Sequence, residues 1–171
     1  MITADYCLTM ARYNAWQNKL MSAELKALAP DELTKDRGAF FGSIRNTANH
    51  ILWGDQLWMS RLAGDAGPRV DAAQHTELTP TLAAWGAERF RTDGRILQWA
   101  GGLKAVDLVG ELSWYSPMAG KDMKQPITSC IMHLFTHQTH HRGQVHAMIT
   151  ATGSQAWVTD LLLMPADGPW L

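Results

Sequence analysis

The sequence predicts an all-α protein, a four-helix bundle with one long crossover and a small β-hairpin before the last long helix. Three observations carry this. Four long segments repeat apolar residues at helical spacing between breakers. The Gly-, Asp- and Ala-rich stretch at 64–78, with Pro68, separates the second segment from the third. Only one short region, between Gly101-Gly102 and Pro126, alternates with period two.

The first helix is expected from residue 3 to about 28, a stretch without Pro or Gly that carries Met10, Tyr13, Leu20, Met21, Leu25 and Leu28 and stops before Pro30. Ser43 is a suitable N-cap for the second, to about residue 62, with Ile44, Thr47, Ile51, Gly54, Leu57, Trp58 and Leu62 as its inner stripe and Gly64 as its stop. The 64–78 loop is expected to cross the bundle. Thr79-Pro80 then supplies an N-cap with Pro at the first helical position, and the third helix runs to about residue 100. The hairpin is expected from Asp107 through Trp114-Tyr115, turning at Met118-Ala119-Gly120-Lys121 and returning through Met123. Pro126 precedes the fourth long helix, whose stripe is Cys130, Leu134, His137, His141, Val145 and Met148, and Gly153 ends it.

At 171 residues, with 46% hydrophobic and 18% charged residues, the chain fits one soluble domain, 1–171. Fifteen Lys plus Arg against sixteen Asp plus Glu leave a formal charge of −1, so no basic excess points to nucleic acid. No apolar run approaches the roughly 20 residues a bilayer span needs, and the N-terminus has no basic segment followed by an apolar one. Cys7 and Cys130 make no CxxC pair and read as buried spacers. A cytoplasmic protein with reduced thiols is the expectation.

Five of the seven histidines, His133, His137, His140, His141 and His146, lie within one run on the last helix. His137 and His141 are one turn apart on its inner face, the spacing that lets two imidazoles reach one metal ion. A third ligand must come from elsewhere. His75 sits in a polar loop, whereas His50 lies mid-helix in line with Thr47, Gly54 and Leu57, with small Gly54 leaving room beside it, and is the better candidate.

Three motifs carry a resemblance. They are Tyr13-Asn14-Ala15-Trp16-Gln17-Asn18, Asn49-His50-Ile51-Leu52-Trp53-Gly54-Asp55-Gln56-Leu57-Trp58, and His137-Gln138-Thr139-His140-His141-Arg142-Gly143-Gln144. Over nearly its whole length the chain resembles the DinB or YfiT-like superfamily of metal-dependent four-helix bundles. The resemblance implies a divalent ion, zinc or nickel, held by His50, His137 and His141. It also implies a homodimer. The superfamily is named for damage-inducible genes and is unrelated to the similarly named polymerase, so no nucleotide transfer is expected.

Three imidazoles leave a coordination position open, and an ion so held lowers the pKa of a water to roughly 7 or deprotonates a thiol. Relatives in the superfamily include S-transferases and isomerases that use low-molecular-weight thiols such as bacillithiol, mycothiol or glutathione. The implied activity is therefore thiol transfer or hydrolysis on a small molecule. Two readings compete with it: a non-catalytic bundle stapled by the ion, structural or metal-sensing, and a metal-free pocket for a small ligand. A fourth protein ligand such as His133 would favour the staple.

Other side chains receive local expectations. His140 and His146 fall off the inner stripe and should face solvent or an interface. Asp55 could orient a ligand histidine, but is expected in solvent or a surface pair. Arg142 could anchor an anion or pair with a carboxylate of the first two helices, and Gly143 should permit close helix approach. Trp53, Trp58, Trp114 and Trp157, among eight tryptophans, could line an apolar pocket above the metal or simply pack in the core.

Overall fold

The computed structural model describes residues 2–117 and 119–171. Helix α1 spans Ala4–Ala27, with Thr3 as N-cap accepting from the Tyr6 amide, and a short α2, Pro30–Thr34, follows it. Helix α3 is Ile44–Leu62, capped by Ser43 through the Asn46 amide. Helix α4 is Leu82–Gly102 and α5 is Ile127–Thr150. Strands β1 (Glu111–Ser116) and β2 (Lys121–Pro126) form the antiparallel hairpin, with Trp114 opposite Met123. Met118, placed in its turn by the sequence, lies outside the described residues. No helix is long and apolar enough to cross a membrane among the described residues.

One cap differs from expectation. Thr81, not Thr79, caps α4 by accepting from the Ala84 amide. Thr79 is committed elsewhere: its amide and hydroxyl both donate to Asn49 Oδ1, at 3.2 and 2.7 Å. A tertiary tie to α3 thus overrides the local Thr-Pro signal. The 64–78 segment runs back along α3, where its 3-10 turn Ala72–Glu77 packs, before the chain enters α4.

Around the bundle α1 lies against α4, α4 against α3, α3 against α5 and α5 against α1. The interior has three tiers. One apolar end gathers Met21, Leu25, Ile44, Ile51, Leu52, Trp85, Val145 and Ile149; the other gathers Cys7, Ala11, Trp58, Met59, Ile96, Ile131, Leu134 and Phe135. Each long helix carries buried polar residues that fall between these groups in sequence, among them Asn14 and Asn18, Asp55, Arg89 and Asp93, and Gln138 and Arg142. His137 and His141 adjoin this middle tier on α5, and His50 on α3 meets His137.

Candidate metal centre

Helix α3 presents His50 and helix α5 presents His137 and His141 into the groove the two helices share. Their ligand nitrogens all lie within 4.8 Å of one another, and His50 Nε2 is 3.0 Å from His137 Nε2. The ring centroids of His50 and His141 are 4.5 Å apart, as are those of His137 and His141. Two nitrogens held at roughly 2.0–2.1 Å on one tetrahedral ion stand about 3.3 Å apart. The His50–His137 pair stands slightly inside that spacing and the 4.8 Å bound on the whole set lies outside it, so small ring adjustments suffice and the cluster could hold an ion.

Gly54 makes this approach close. A Cβ at Gly54 would stand 3.0 Å from His137 Cε1 and 3.4 Å from its Nδ1. The room it leaves is thus for His137 across the groove, rather than for His50 on its own helix.

Electrostatics keeps the imidazoles neutral, the form that binds metal. Burial lowers His50 to a pKa of about 3, helped by His137, His141 and His75. His137 is also lowered to about 3, by burial first and then by His141, His133 and His140. His141 is lowered, again chiefly by burial. His141 Nδ1 donates to Gln144 Oε1 at 2.7 Å, which leaves Nε2 with its lone pair for the cluster.

The remaining histidines divide. His133 is outside the three-residue group and packs its ring on Trp58 and His137, with centroids at 5.0 and 5.5 Å. His140 is exposed as expected. His146 does not face solvent: it is half-buried and its Nε2 donates to the Trp157 carbonyl at 3.0 Å, tying down the chain after α5. His75, left in a loop by the sequence, reaches His50, with Nδ1 to Nδ1 at 3.0 Å.

Three other expectations need correction. Asp55 is fully buried rather than at the surface, because Arg89 Nη1 and Gln138 Nε2 each donate to it at 2.5 Å. Burial pushes its carboxyl up to about 6 against the pull of Arg89. Among the described residues Arg142 finds no carboxylate partner; it donates to Asn14 Oδ1 and to Gln138 Oε1 in the polar tier. Gly143 lies on the exposed face of α5 with nothing near its Cβ direction, so no helix approaches there.

The tryptophans do not gather into one pocket. Trp58 and Trp114 meet at 5.5 Å with Arg61 over both rings, whereas Trp157 packs in the opposite apolar end and donates to Gln17. Trp53 donates to the Val70 carbonyl beside His75. The aromatic that does cover the site is Phe41, whose centroid lies 4.2 Å from His50, 5.1 Å from His75 and 5.4 Å from His141. Sequence reasoning missed it. The available signal was the Phe40-Phe41-Gly42 run just before the Ser43 cap; Gly42 takes a φ of 75°, turning the chain so that Phe41 folds over α3.

A family model described as DinB family matches residues 1–167. The chain belongs to the DinB family. It is also similar to Protein DinB of Bacillus subtilis (strain 168), 22% identical over 161 residues that make up 92% of this chain and 92% of that relative. No solved structure is significantly similar. Membership of the DinB family and the three-histidine cluster are together consistent with metal binding.

Proposed function

We propose that this DinB-family chain is a metal-dependent enzyme that transfers a thiol to a small molecule, or hydrolyses one, at an open site formed by His50, His137 and His141. One observation carries the reading: three neutral imidazoles from two helices converge within 4.8 Å, with no fourth His, Cys, Asp or Glu in the group among the described residues. Three nitrogen ligands with a vacant position suit zinc or nickel, and when bound such an ion supplies acidification of a water or thiol.

The chain's own residues do the rest. His50, His137 and His141 hold the ion, and Gln144 fixes the ring of His141. Phe41 shields one flank of the imidazoles from water. His133, packed between Trp58 and His137 at the rim, stands where an incoming thiol could give up its proton.

Elemental analysis of protein purified without a metal-affinity tag tests the reading, alongside His50→Ala and His137→Ala. About one ion per chain, lost in both variants, followed by turnover in a screen of low-molecular-weight thiols and hydrolysable esters or amides, is the expected result. No ion after reconstitution with zinc or nickel would sink it. A loaded protein inert across that screen would leave an ion that staples α3 to α5.

A further inference from the structure

His75 comes from the 3-10 turn Ala72–Glu77, far from α5 in the chain, yet it is held against α3 by a built set of contacts. Asn49, next to His50, donates to the Thr76 carbonyl at 2.9 Å and to the Thr79 carbonyl at 3.3 Å. Asn49 Oδ1 in turn accepts from the Thr79 amide and hydroxyl. Arg69 donates to the Leu78 carbonyl, and the His75 ring packs between Phe41 and Trp53, with centroids at 5.1 and 5.9 Å. The turn therefore has a fixed position relative to His50.

His50 uses opposite corners of its ring for its two contacts. Nε2 faces His137 and Nδ1 faces His75, both at 3.0 Å. Proton counting assigns the roles. A neutral histidine that ligates through Nε2 carries its single proton on Nδ1. That N–H must donate to His75 Nδ1, which then holds a lone pair while the proton of His75 sits on Nε2.

We propose that His75 is a positioning residue for the metal centre: its Nδ1 accepts from His50 Nδ1–H, fixing the tautomer and rotation that aim His50 Nε2 at the ion. The inference rests on the three-histidine reading and adds a fourth histidine that never touches the metal. Partners of this kind commonly govern affinity by 10- to 100-fold. Gln144 plays the matching part for His141, through a side-chain oxygen at 2.7 Å.

Zinc affinity measured by competition with a chromophoric chelator tests it in the wild type, His75→Phe and His75→Gln. Phenylalanine keeps a ring of similar shape and removes the acceptor, so binding should weaken by about 10- to 100-fold with the stoichiometry unchanged. Glutamine restores an acceptor oxygen and should recover most of that loss. Thermal unfolding of the metal-free variants should shift far less than affinity does. In zinc-loaded wild type, long-range proton–nitrogen NMR should find the proton of His50 on Nδ1 and that of His75 on Nε2, a readout needing no variant to fold.

Wild-type affinity in His75→Phe, or equal weakness in phenylalanine and glutamine variants, would overturn the positioning role and leave the three-histidine site standing. A protonated His75 Nδ1 in the loaded protein would do the same. Wild type that binds no zinc would overturn both the site and this role.

Discussion

Gly54→Ala isolates how closely α3 and α5 must approach for the histidines to converge. The added methyl would lie 3.0 Å from His137 Cε1, where ordinary carbon contacts are about 3.5–4.0 Å. Relief requires a displacement of roughly 0.5 Å, beyond the tolerance of about 0.2 Å on metal–ligand distances. The helix itself gains about 1 kcal/mol from replacing Gly with Ala, against an overpacking cost of roughly 1–3 kcal/mol. The net loss, roughly 0–2 kcal/mol, should lower the melting temperature of the metal-free protein by at most about 8 °C. Zinc affinity should fall at least about tenfold, equal to 1.4 kcal/mol of lost binding. Chelator competition and thermal unfolding on the same samples separate the two quantities. Zinc binding within twofold of wild type would refute the claim that Gly54 sets the ligand geometry.

Gly143→Ala is the counterpart: mid-helix with open space around it, it should raise stability by about 1 kcal/mol in urea titrations and leave zinc affinity unchanged. Asp55→Ala leaves Arg89 paired with Asp93 but takes the acceptor from Arg89 Nη1 and from the Gln138 amide, and should cost roughly 1–3 kcal/mol of unfolding free energy, read as a lowered urea midpoint. His50 and His137 have folded pKa values near 3, below the ordinary histidine value, so their neutral forms stabilise the fold above about pH 6.5 and that stability is lost as pH falls towards 3; urea midpoints of the metal-free protein should decline across this window. The same shifts remove proton competition, so intrinsic zinc affinity should change less than about tenfold from pH 7.5 to 5.5, where three ordinary imidazoles would lose about a thousandfold.

The long helices were legible because their signals are local. Apolar spacing, the Ser43 cap, Pro126 before α5 and Gly153 after it are all read within one segment. The His137 and His141 pair was legible for the same reason, being one turn apart on one face. What was hidden depends on contacts between segments. Thr79 and Thr81 are equally good caps in sequence, and only the bonds from Asn49 decide which is used. Asp55 reads as surface unless its partners on α4 and α5 are known, since nothing in the α3 sequence announces Arg89. His75 and Phe41 come from connecting segments whose path over α3 is set by positive-φ glycines and side-chain-to-carbonyl bonds, none of which leaves a periodic trace.

The buried polar tier bears on the candidate metal centre through the register of α5. Gln138 and Arg142 each follow one residue after a candidate ligand, so about 100° of helical rotation separates the histidine face from the face that meets Asp55 and Asn14. A one-turn slide of α5 along α3 would move His137 by about 5.4 Å and at the same stroke strip Asp55 of its Gln138 amide. An apolar interior would resist that slide weakly, because Leu134, Val145 and Ile149 could meet other apolar side chains after it. A charged tier cannot, since every displaced partner leaves a buried group unpaired at a cost of several kcal/mol. Arg89, bonded to Asp55 on α3 and to Asp93 on its own helix, extends the constraint to α4, and Asn18 on α1 closes it through Asp93. The tier thus gives up some stability relative to an apolar core and fixes the axial level at which α3 and α5 bring their histidines together.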